Sequence, residues 1–99
     1  MIEDKAIKEI VYHFGSYGQI SKAVEELIEL AEVLIKDVNK SELIRDHLYE
    51  ELADVEIMLA QLKYIYNIDS EGLNQEIERK IERTLQRISD EGIVDCSWK

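Results

Sequence analysis

No proline interrupts this chain, and apolar residues recur at three- and four-residue intervals along most of its 99 residues. Without proline, every backbone N–H after the first stays available for helical bonding, and that period lines apolar side chains along one helical stripe. Strand-like alternation is absent, so the expected class is all-α. Two punctuation clusters, Gly15-Ser16-Tyr17-Gly18 and Asn67-Ile68-Asp69-Ser70, and a weaker break from Asp37 to Ser41 divide the pattern into four expected helices, at about 2–14, 19–38, 41–66 and 70–89. Asn39 with Glu42 offers the third a capping-box start.

The first helix is expected to bury Ile7, Ile10, Val11 and Phe14. The second offers the stripe Ile20, Ala23, Val24, Leu27, Leu30, Ala31, Leu34 and Val38, and the third Ile44, Leu48, Leu52, Val55, Leu59, Leu62 and Tyr66. In the fourth, Leu73, Ile77, Ile81, Leu85 and Ile88 recur at the same period. Nothing resembling a linker or repeat appears, so a single domain over 1–99 is expected, with its core in about 2–89 and a tail from 90 to 99. The third helix carries a second, opposed apolar line, Ala53, Ile57, Ala60 and Tyr64. A helix apolar on two sides is covered on two sides, by a neighbouring helix or by a second copy of the chain; the copy is the expected cover, giving a homodimer or homotetramer.

A formal net charge of −10, from 22 acidic and 12 basic side chains, opposes nucleic acid or an anionic membrane as partner. No long apolar run or apolar leader is seen, and the single cysteine, Cys96, has no partner, so a cytoplasmic setting is expected. Cys96 and Trp98 carry no assignable role.

Two acidic motifs break the helical pattern: Glu25-Glu26-Leu27-Ile28-Glu29 and Glu50-Glu51-Leu52-Ala53-Asp54. Each sets two carboxylates three residues apart, on adjacent turns of one face, where both reach a single ion. Glu51 lies only about 60° around its helix from Leu48, at the core margin, where a charge is costly unless paired or metal-bound. Glu29 points well away from the apolar stripe of its helix and needs a covering helix or subunit to be enclosed. The acids offer hard oxygen ligands of the kind magnesium takes. Solvated acidic faces paired with lysines, as Glu32 is spaced to pair with Lys36, are the plain alternative. His13 and His47 do not stand three residues after a glutamate, as a di-iron Glu-x-x-His site requires, and read as structural. No zincin, nucleophile-elbow, P-loop or EF-hand pattern occurs.

The run GQISKAVEELIELAEVLIK, followed by YEELADVEIML and the basic RKIERTLQRI, resembles the MazG-like all-α nucleotide pyrophosphohydrolases over about residues 10–88. The resemblance implies a four-helix MazG-like bundle that holds Mg²⁺, with Mn²⁺ as a substitute, through Glu26, Glu29, Glu51 and Asp54. The same acids would orient or deprotonate water, and a (d)NTP would be cleaved to the monophosphate and pyrophosphate. It further implies substrate contact by Gln19 before the first motif and by Lys80, with Arg83 as a second basic residue; Glu78 stands where larger members have an asparagine. The phosphoribosyl-ATP pyrophosphohydrolases fit less well, because EELADVEIML departs from their EA-x-D segment and the leucine-rich stretch after it. Dimeric dUTPases share the acids but are generally larger. The rival from another class is a non-catalytic helical interaction protein whose acids are surface charges.

Overall fold

The computed structural model describes residues 2–38 and 45–92. Four helices make up almost all of them: α1 (Asp4–Phe14), α2 (Ser16–Val38), α3 (Arg45–Ile65) and α4 (Ser70–Glu91). No strand occurs among the described residues. The expected all-α class and the four helices are therefore present, while Asn39, Glu42 and Ile44 lie outside the described residues. Among the described residues no helix is long and apolar enough to cross a membrane.

The break between α1 and α2 is shorter than its four punctuating residues imply. Gly15 alone turns the chain, at φ 87°, a left-handed value that glycine adopts without steric cost. Its N–H donates to the Val11 carbonyl at 2.8 Å, and α2 resumes at Ser16. After α3, Asn67 takes φ 52°, and Asp69 then caps α4 by accepting the Gly72 N–H at 3.0 Å. At the far end Gly92, in the left-handed region, closes α4 by donating to Ile88 and Ser89 carbonyls.

The chain forms two compact units, Met1–Asn67 and Ile68–Lys99. Within the first, α1 packs on both α2 and α3, and α2 packs along α3. Its buried apolar side chains are Ile7 and Val11 from α1, Ala23 from α2, and Val55 and Met58 from α3. Gln19, Glu26 and Gln61 are buried with them. Among the described residues, three polar side chains out of eight buried ones make this a thin core.

The buried seam is not the one that apolar periodicity picks out. On α2 the inward residues are Gln19, Ala23 and Glu26, followed by the half-buried Leu30 and Val33. Val24, Leu27 and Leu34, expected in the core, are exposed, as are Ile28 and Ile35. At 100° per residue the packed face is turned by about 80° from the expected stripe. On α3 the seam runs through Leu48, Glu51, Val55, Met58, Gln61, Leu62 and Ile65, about 60° from the expected one, so Leu52, Leu59 and Tyr66 are exposed. Phe14 is also exposed, resting edge-on against the neighbouring His13 ring. In both helices the rotation has one physical effect: it turns an acidic side chain from the flank of the apolar stripe into the packed seam.

The second unit contains α4, none of whose residues is buried; Ile77, Ile81, Leu85 and Ile88 are all exposed. Its basic residue Arg79 forms a double contact with the Glu76 carboxylate through Nε and Nη2. Lys8 of α1 stands over the Tyr64 ring of α3, 5.8 Å from its centroid.

These positions reverse the ranking that hydrophobicity alone assigns. Met58→Ala should lower unfolding stability by about 2–5 kcal/mol, the range for emptying a buried methionine site. Phe14→Ala should cost less than about 1 kcal/mol, because most of the ring already meets water. Urea titration of both variants checks the order.

Candidate metal centre

Each acid occupies a place that helical packing would give to an apolar residue. Glu26 falls between Ala23 and Leu30 on the α2 seam, and Glu51 between Leu48 and Val55 on the α3 seam. Since α2 and α3 pack along each other, the two carboxylates meet, and Asp54, one turn after Glu51, joins them. One oxygen from each of Glu26, Glu51 and Asp54 lies within 4.8 Å of the others. Glu26 is 5% exposed, Glu51 half-buried and Asp54 exposed, so the cluster opens from the seam to the surface.

Bringing three carboxylates together without compensation is unfavourable, and the surroundings compensate only in part. Lys22, one turn before Glu26, places Nζ 3.3 Å from Glu26 Oε1. The second oxygens, Oε2 of Glu26 and Oε2 of Glu51, are buried without a hydrogen-bond partner. Burial lifts the Glu26 carboxyl above its usual range, Lys22 opposes the shift, and the charges of Glu29 and Asp54 add to it. Burial likewise lifts Glu51, followed by the charges of Glu29, Glu26 and Asp54. Lys22 is held protonated beyond its ordinary range, first by its bond to Glu26 and then by the charge of Glu25.

The donor set fits a small divalent cation. Three hard oxygen donors converge, two buried oxygens lack any proton donor, and the cluster reaches solvent through Asp54. Glu29 is exposed and outside the converging set, yet its charge acts on both Glu26 and Glu51. The rotation of the α2 seam explains this, since it brings Glu29 to about 80° from the packed face instead of nearly opposite it.

Of the residues expected to contact substrate, Gln19 is buried and its amide nitrogen donates to Gln61 Oε1 at 2.7 Å. Lys80 and Arg83 are exposed on α4, in the second unit, where their charges help hold the Glu76 carboxyl low after the larger effect of Arg79. Two contributors escaped the sequence reading. Lys22 was visible as a cation four residues before Glu26, and Gln61 as a polar residue three after Met58, at a seam position. Comparison of the chain with protein families, with curated proteins and with solved structures finds no match.

The raised carboxyls give the metal-free protein a definite pH response. A folded-state pKa above the unfolded value, about 4.3 for glutamate, means that the folded chain binds more protons between those two values. Stability is then fully present below about pH 4.3 and declines as pH rises through the raised pKa. Glu51→Gln removes one such group. In EDTA the variant should match wild type near pH 4, exceed it as pH rises through the raised pKa, and keep a constant advantage above it, as urea titrations from about pH 4 to pH 8 will show. A pH-independent difference would contradict the electrostatic account.

Proposed function

We propose that the chain is a magnesium-dependent nucleoside triphosphate pyrophosphohydrolase of MazG-like type, cleaving (d)NTPs to the monophosphate and pyrophosphate. The observation that carries this reading is the convergence of Glu26, Glu51 and Asp54, with two buried carboxylate oxygens left without a donor. An acidic chain must also interpose positive charge before it can hold a polyphosphate. When bound, a divalent cation supplies that charge and lowers the pKa of a coordinated water.

Glu26, Glu51 and Asp54 would hold the cation, with Glu29 as a further carboxylate at the edge of the site. As the resemblance implies, one or more of these acids would orient water or take a proton from it as its oxygen forms a bond to the α-phosphorus. The bond from that phosphorus to the bridging oxygen breaks, and pyrophosphate leaves with the electron pair. Lys22 Nζ lies 3.3 Å from Glu26 Oε1, while Oε2 is buried without a hydrogen-bond partner. Lys80 and Arg83 are the cations to which we assign phosphate contact, by the resemblance of the last helix. Gln19, the third residue so implied, is engaged with Gln61.

A cytoplasmic homodimer or homotetramer completes the reading. Its support is the extent of uncovered apolar surface: Val24, Leu27, Ile28, Leu34 and Ile35 on α2, and Ile57 and Tyr64 on α3. That surface also favours the second reading, an interaction protein without catalysis. Turnover separates the two.

Pyrophosphate should be released from a panel of dNTPs with Mg²⁺ and not with EDTA, and Glu51→Gln or Asp54→Asn should reduce the rate at least about 10²-fold with helicity by circular dichroism unchanged. Wild-type turnover in either variant, or none in the wild type, would refute the reading. For assembly, Ile57→Glu would set like charges in a desolvated contact and should split the oligomer seen by light scattering. A wild-type monomer at micromolar concentration would overturn that part.

A further inference from the structure

The most deeply buried polar group lies away from the carboxylates. Gln61 is 2% exposed, and its amide oxygen accepts from Gln19 Nε2 at 2.7 Å, while its own nitrogen reaches only the Met58 sulfur at 3.8 Å. Gln19 stands two helical turns before Glu26, about 10 Å along α2. The two contacts, Gln19 with Gln61 and Glu26 with Glu51 and Asp54, run in opposite directions along the two helices, so the hairpin is antiparallel.

The other inward-facing residues described on this seam, Ala23, Leu30 and Val33 of α2 and Leu48, Val55, Met58 and Leu62 of α3, are apolar and make no directional bond across it. A slide of α3 by one turn would set Gln19 against Ile65 and Gln61 against Ala23, orphaning both buried amides. The same slide would set Glu26 against Met58, apart from Glu51, and relieve the carboxylates of their mutual repulsion. Without a cation, the acids thus push the helices out of the arrangement that a cation needs. The interhelical hydrogen bond that opposes this push is the amide pair.

We propose that Gln19 and Gln61 are positioning residues, a register lock that holds Glu26 opposite Glu51 and Asp54 before any cation arrives. The proposal rests on the metal-site reading for its purpose, though the register itself is measurable without metal. A buried polar pair that specifies alignment at the expense of stability has precedent in the single buried asparagine of coiled coils.

The test compares wild type with Gln19→Met, Gln61→Met and the double variant, all carrying Cys96→Ser. Each single variant orphans one amide and should lower the urea midpoint, whereas the double variant, apolar on both sides, should recover it. Recovery of stability should not restore alignment. Spin labels on Ser21→Cys and Asp46→Cys, both exposed sites, in chains diluted into unlabelled protein without metal, should give one narrow distance in wild type. The double variant should add a population displaced by about 5 Å, one helical turn. Its Mn²⁺ affinity, titrated with the ion alone, should fall roughly tenfold or more, because the acids are preassembled in only part of the molecules. A double variant with the wild-type distance and affinity would reduce the pair to packing and overturn the proposal. Wild type that keeps the narrow distance yet binds no Mn²⁺ would instead defeat the metal reading and leave the register lock standing.

Discussion

Two glutamates face each other across the α2–α3 seam, and the rest of the first unit is arranged around that unfavourable meeting. Glu26 and Glu51 occupy positions that would stabilise the hairpin if they were leucine, and each carries a buried oxygen without a donor. Burial and like charge both act against ionisation there. The compensations are few: one lysine a turn away, and an amide pair two turns along. A hairpin built only for stability would have none of these features, and their coincidence on one seam is the basis for reading the seam as a working site.

The helices and the acidic motifs were legible in the sequence; the orientation of the helices was not. Periodicity located all four helices because it depends on spacing, which a rotation about the helix axis leaves unchanged. It misplaced the packed face because counting apolar residues gives no weight to Gln19, Glu26, Glu51 or Gln61, the residues that define the true seam. On α2 the richer apolar line, through Val24, Leu27 and Leu34, faces outward, and the seam is built around Ala23. Glu51 was placed correctly at the core margin because its angle from Leu48 survives the rotation, while Glu29 was placed too far away for the same reason that Leu27 was placed inside. Phe14 misled by its chemistry: a large aromatic beside Gly15 reads as core, but it follows the last inward position of α1, Val11, by almost a full turn and finds only His13 beside it.

A thin core and wide uncovered faces belong together. Among the described residues five buried apolar side chains leave much of the hydrophobic content of the first unit on its outside, and α4 exposes Ile77, Ile81, Leu85 and Ile88 of its stripe. The acidic seam deepens the deficit, since the space it occupies inside the hairpin contributes repulsion where an apolar seam would contribute cohesion.

The Lys22–Glu26 contact has a consequence in simple charge count. Three ionised carboxylates contribute three negative charges and the ammonium group beside them returns one, so these four groups alone carry an excess of two, to which Glu29 adds from outside the converging set. Lys22 thus acts as an attached monovalent counter-ion to the acids without being one of the three converging donors, and a neutral residue in its place would leave the cluster one charge more negative.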